Sequence, residues 1–162
     1  MVDYAKEDIL EEVLHSLEKV LYEVKASSKH TKEQAIQAPS ASESHSDTSK
    51  NQLQALSYSL DERVYTLEEE IKAIISYKVI DNLSKVVLGS LVELENLDSG
   101  EEKYYYVLPA GAGTQVQTEK GLVNIITTKS PIFVSMFGKI EGDDFEFRYG
   151  DLTQEYSITK ID

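Results

Sequence analysis

Between residues 9 and 24, apolar side chains return every third or fourth position. Leu10, Leu14, Leu17, Leu21 and Val24 are spaced 4, 3, 4 and 3 apart, and Glu, Lys and Ser fill most of the intervening surface. That spacing predicts a helix over about 3–36 with one apolar seam, widened by Ile9, Val13 and Val20. Asp3 is placed to cap it, and Glu7 and Asp8 suit the positive end of its dipole. A second seam runs through Leu60, Val64, Leu67, Ile71, Ile74 and Lys78, with Leu53 and Leu56 extending it toward the start of a helix over about 50–78. Neither seam buries enough alone, so the two should pack antiparallel, Leu10 near Ile74 and Val24 near Leu60, centred on residue 42. That centre falls in the helix-breaking segment Ala38-Pro-Ser-Ala-Ser-Glu-Ser-His-Ser-Asp-Thr-Ser49, where Asp47, Thr48 or Ser49 can cap the second helix. A hairpin of this length is a rod of about 50 Å. It fits an oligomerising coiled coil, and it also fits a probe that carries its tip to a distant site.

From Val86 the period changes. Strands are predicted at Leu88–Leu97, Lys103–Leu108, Leu122–Thr128, Phe145–Arg148 and Gln154–Ile161, with turns at Asp98-Ser-Gly100, Pro109–Gly113 and Gly142-Asp-Asp144. Ser130 and Pro131 open a short helix, as N-cap and first helical residue, that ends at Gly138. The chain thus divides into 1–78, a hairpin with its tip near 39–49, and 79–162, a small antiparallel sheet of four or five strands with one short helix. The fold class is α+β.

Composition narrows the function classes. Residues 1–78 hold nine basic and 15 acidic side chains, and the remainder seven and 14, so both halves share the net charge of −13. No broad basic surface exists for nucleic-acid phosphates, and a basic protein surface or channel is the better match. There are no cysteines, which removes disulfides and thiolate metal sites. No apolar run reaches the roughly 20 residues of a membrane span, and the acidic N-terminus lacks a signal core. A cytoplasmic protein is expected, without a membrane partner or a small-molecule substrate. His15, His30 and His45 are too scattered for a metal motif, and no nucleophile elbow or paired catalytic carboxylates stand out, so no catalytic residues are assigned. Tyr104, Tyr105 and Tyr106 alternate across a strand and read as half core, half surface.

One ordered set of motifs is more specific. Ser130-Pro131-Ile132, five residues, then Gly138-Lys139-Ile140-Glu141-Gly142-Asp143 resembles the S-P-I…G-K-x-x-G-D signature of the C-terminal domain of GreA/GreB transcription elongation factors. The stretch from Leu88-Gly-Ser through Asp98-Ser-Gly-Glu resembles that family's opening F-G-S-x-V-x-L-x-D-L-D-T-G-E, and Glu155–Ile161 its Y-x-I-x-x-I ending. The glycines, Pro131 and Asp143 also have a plain structural reading as turns, a helix start and a turn cap.

The resemblance implies an FKBP-like fold for 79–162 and a non-enzymatic regulator that binds bacterial RNA polymerase. The C-terminal domain would dock, with Ser130, Pro131, Ile132, Gly138 and Lys139 at the docking face, and the hairpin would enter the secondary channel. Nucleic acid would be met only through the polymerase. In the family, acidic tip residues help hold a Mg²⁺ shared with the polymerase active site, which then cleaves its own transcript; no intrinsic cofactor is implied. Here the tip reads Ser46-Asp-Thr-Ser-Lys-Asn51, so Asp47 matches the family pattern G-D-x-S-E-N-A-E-Y while Lys50 replaces its second acid. Asp47 and Glu43 are the metal candidates, although Asp47 reads more readily as a helix cap. A protonated lysine repels Mg²⁺, which argues against cleavage stimulation. The alternatives are a Gre-related interaction module, a polymerase inhibitor without cleavage activity, and an FKBP-type folding helper.

Overall fold

The computed structural model describes residues 1–38 and 48–162. The order of elements is α1 (Lys6–Gln37), α2 (Ser49–Ser76), β1 (Leu91–Asn96), β2 (Glu102–Val107), β3 (Gln115–Gln117), β4 (Leu122–Ile126), α3 (Pro131–Met136), β5 (Asp144–Tyr149) and β6 (Leu152–Ile161). Two long helices followed by a mostly antiparallel sheet with one short helix is the α+β arrangement expected. The chain falls into two compact units, Ser16–Ile71 and the combination of Met1–His15 with Lys72–Asp162.

In the helical unit, the buried positions of α1 are Leu17, Ser28, Thr31 and Ala35, with Leu21 and Val24 half-buried between them. On α2 they are Ser57, Leu67 and Ile71, with Leu53, Leu60 and Val64 half-buried. The seam therefore turns small and hydroxyl-bearing toward the loop. Leu56 is half exposed, and Ser57 takes the inward position that Leu56 was expected to hold. The pairing register also moves. Ser28 donates to Asp61 at 2.6 Å, Lys32 pairs with Asp61 at 2.8 Å and Lys25 with Glu68 at 2.7 Å. The midpoints of these pairs fall between residues 44 and 47, not on 42. A heptad seam repeats every half-heptad, so the helices can slide by about one layer and still put apolar on apolar. The polar pairs choose among those slides.

In the other unit, six strands form one sheet in the order β3-β4-β2-β1-β6-β5. All neighbours are antiparallel except β2 and β4. That parallel pair was not anticipated. It uses the crossover through 108–121, about the length a parallel connection requires, and the crossover contributes β3, whose only inward side chain is Val116. β1 starts at Leu91, later than its apolar run suggests. Ser90 Oγ accepts from Val87 N–H and donates to the Lys85 carbonyl, which folds 85–90 into a turn. α1 starts at Lys6, with the Ala5 carbonyl accepting from Ile9 N–H. Asp3 is therefore not its cap; Val2 instead bridges Thr118 beside the edge strand β3.

One face of the sheet is covered, and the other is covered in part, with Asp144, Glu146 and Arg148 of β5 exposed on it. On one, Val92, Leu94, Val107, Ile126, Phe145, Tyr156 and Ile158 pack with Ile132, Phe133 and Met136 of α3. On the other, Tyr104 and Tyr106 are buried, and the Tyr4 ring meets Tyr104 edge-on at 5.7 Å. Tyr105 packs against the α3 face, half-buried. The three tyrosines are thus more buried than expected, because the sheet is covered on both sides at β2 and leaves them no solvent face.

Candidate functional site

α3 exists because Pro131 pre-sets the first helical φ and its missing N–H needs no partner there. Ser130 occupies the capping position, but its hydroxyl makes no bond into the helix. Ser130 Oγ accepts instead from Thr127 N–H at 3.0 Å, closing the turn before α3. Ile132, Phe133 and Met136 point into the core. Pro131, Val134 and Phe137 point out, Val134 and Phe137 being 66% and 62% exposed. Phe137 leans on Phe133 at 5.4 Å between ring centres. Beside them Leu88 and Thr128 complete a shallow, largely apolar groove of about 410 Å³. α3 and the residue after it thus carry apolar side chains on the solvent side as well as on the core side.

The residues after α3 brace it. Gly138 has φ +75°, and a Cβ there would meet nothing within 4 Å, so the position needs glycine for its backbone and not for space. Gly138 N–H donates to the Val86 carbonyl and Val86 N–H to the Lys139 carbonyl, both at 2.8 Å. The Asp143 carboxylate accepts from Ile140 N–H at 2.9 Å, as a turn cap should. The Glu141 carboxylate accepts from Ile161 N–H, and Gly142 N–H donates to the Ile158 carbonyl. The signature thus ties α3 to the segment before β1 and to β6. Of the residues expected at a docking face, all five lie in this one segment. Ile132 is buried in the core and holds the helix, while Pro131 is exposed and Ser130 and Lys139 are half-exposed. Sequence reasoning missed Val134, Phe137 and Leu88. The signal was present in Pro131-Ile-Phe-Val-Ser-Met-Phe137, which is too apolar for a helix with one face in water.

The tip candidates Asp47 and Glu43 lie outside the described residues. Thr48 supplies the carbonyl that accepts the first helical N–H of α2, from Gln52 at 3.1 Å, which makes it the capping residue. Lys50 sits in the first turn, which holds no acid. Lys50, Lys32, Tyr58 and Asp61 line a crevice of about 550 Å³ in the helical unit. Lys32, and then the Ser28 hydroxyl, hold the Asp61 carboxyl below its ordinary range by hydrogen bonding. Among the described residues, no group of three or more His, Cys, Asp or Glu is placed to hold a metal ion. No helix among them is long and apolar enough to cross a membrane.

A helical hairpin is joined in sequence to a sheet domain whose short helix carries exposed apolar side chains. Known proteins identify the family. Residues 81–162 match the family model described as "Transcription elongation factor, GreA/GreB, C-term". The transcription elongation factor GreA of Jannaschia sp. (strain CCS1) is 33% identical over 133 residues, which cover 78% of this chain and 80% of that protein. The GreA of Nitratidesulfovibrio vulgaris (strain DP4) is 37% identical over 91 residues, 51% of this chain and 52% of that one. The solved structure of GreA factor homolog 1 from Thermus thermophilus aligns over 92% of this chain and 94% of that chain, at 20% identity and a TM-score of 0.39. The chain belongs to the GreA/GreB family of transcription elongation factors.

Proposed function

We propose that this elongation factor binds bacterial RNA polymerase through its C-terminal domain, places its helical hairpin in the secondary channel, and regulates elongation by occupying that channel. The observation that carries the reading is the family match over 81–162, the same span in which an apolar helix face is held out by the braced signature. Pro131, Val134, Phe137 and Leu88 would make the contact. Ser130, Gly138 and Lys139 would set the pose of α3, and Ile132 would anchor it from inside. The two long helices and the net charge of −13 suit a basic passage. Lys50, where the family pattern has an acid, sets the tip against metal-assisted cleavage.

Co-purification with core polymerase at low salt tests the binding. The wild-type chain should be retained, and Val134→Asp or Phe137→Ser should lose retention while keeping the far-ultraviolet circular dichroism of the wild type. No association of the wild-type chain refutes the reading. A backtracked-complex assay tests the tip: the transcript should stay uncut with the wild-type chain. Cleavage that disappears on Asp47→Ala would instead assign Asp47 to metal work.

A further inference from the structure

β5 is the last strand of the sheet, and its outer edge has no neighbour among the described residues. Its backbone groups can be assigned. Ile158 N–H donates to the Asp143 carbonyl, and Tyr149 pairs with Leu152 across the two-residue turn Gly150-Asp151, with Gly150 at φ +60°. In an antiparallel ladder the bonded positions alternate. Residues 145, 147 and 149 therefore spend their N–H and C=O groups on β6, and those of Asp144, Glu146 and Arg148 face outward. The same three side chains are exposed, and neither Glu146 nor Arg148 has an ion pair among the described residues.

Natural edges are usually blunted by charge. This one carries charges that complement themselves. A second β5 laid antiparallel about Phe147 puts each Glu146 against the Arg148 of the other copy. Those two couples are also the ones whose free N–H and C=O groups meet. On the core side Phe147 faces its own copy, and the exposed Tyr149 comes beside the other copy's Phe145. Sliding by two residues, which keeps the core sides aligned, adds a like-charge pair either way: centring on Glu146 puts Glu146 on Glu146, although Asp144 then faces Arg148, and centring on Arg148 puts Arg148 on Arg148. A slide of four, centred on Phe145, puts Asp144 on Glu146. Like charges directly opposite destabilise a strand pair.

We infer that the β5 edge is a self-association site, joining two copies of this chain into a twofold dimer with one sheet running through both, in the register centred on Phe147. One strand from each partner makes a small interface, in the weak and transient class below about 1,200 Å². The dimer should therefore form at high concentration. Sedimentation velocity from about 10 μM to about 1 mM, near physiological salt, reads it. The mass of the wild-type chain should climb from 18.2 kDa toward twice that value. Glu146→Arg and Arg148→Glu each turn both couples into like-charge pairs and should weaken the dimer by about tenfold or more. The double variant E146R/R148E exchanges the charges and should restore it. A wild-type chain that stays monomeric throughout overturns the inference. So does association that ignores both single variants, which would place it on another surface such as the helical seam, and so does a double variant that fails to recover.

Discussion

Gly89, in the Leu88-Gly-Ser motif, offers a quantitative test of how the sheet unit is held. Its φ is +96°, and a Cβ built there would lie 2.7 Å from the Tyr77 hydroxyl and 3.4 Å from the end of Ile80. Its N–H also donates to the Val107 carbonyl at 2.9 Å, fixing the turn to the end of β2. Gly89→Ala then carries two costs. Placing an L side chain in left-handed backbone costs about 1–2 kcal/mol. Forcing a methyl group into a filled space costs about 1–3 kcal/mol more. The Tyr77 hydroxyl is buried, so its ring cannot swing into water without opening the packing around it. The expected loss is about 2–5 kcal/mol, from 89 alone. Gly100→Ala is the control, because φ is +71° there and nothing lies within 4 Å of the added carbon; it should lose only the backbone part. Urea unfolding followed by near-ultraviolet circular dichroism suits the comparison, since ten tyrosines and no tryptophan give the signal. Equal losses at 89 and 100 would refute the packing argument.

Three further outcomes are expected. Leu67 is fully buried in the helical unit, so Leu67→Ala should cost about 2–5 kcal/mol there, read as a lower midpoint for loss of helix. The Asp61 carboxyl is held below its ordinary range by Lys32 and Ser28, so its contribution to stability is present above the unfolded carboxylate pKa and lost as pH falls through the folded one; carbon-13 titration of the carboxyls should show Asp61 displaced downward, and Lys32→Met should bring it part of the way back. Burial pushes up Tyr4, Tyr77, Tyr105 and Tyr106, and the Glu102 carboxylate, accepting from the Tyr104 hydroxyl, pushes Tyr104 up to about 12. A folded pKa above the unfolded one stabilises below the unfolded value and loses that contribution as pH rises, so the phenolate absorbance should contain a late component and stability should fall from about pH 10 to 12.

What could be read from the chain follows the range of the interactions. The two helices were legible because each seam is local and repeats many times. Their register was not, since Asp61 must meet Ser28 and Lys32 across the loop to choose among equivalent slides. The strands with apolar runs were legible, but β3 has only Val116 facing inward and gives no periodic signal. The direction of β2 against β4 depends on a pairing between residues about 20 apart, which no short pattern encodes. The Ser130-Pro131-Ile132 to Asp143 signature was legible as a motif, whereas its division of labour required burial: Ile132 turns in, and Val134 and Phe137 turn out.

Lys50 brings the physical and functional arguments to one residue. The first turn of α2 contains no acid, and a cation there faces the positive end of the helix dipole. Lys50→Glu removes that repulsion and adds an attraction, each worth about 0.3–1 kcal/mol near a helix end, so the variant hairpin should melt later by about 0.5–2 kcal/mol of stability. The same substitution puts an acid where the family pattern has one. Under the channel-occupancy reading, that acid is what metal-assisted cleavage requires. Lys50→Glu should then be more stable and should also gain transcript cleavage in backtracked complexes, with Asp47→Ala abolishing the gain. A variant that is stabilised and still retained by polymerase but leaves the transcript uncut would refute the role given to Lys50. A variant that loses stability would refute the dipole argument itself.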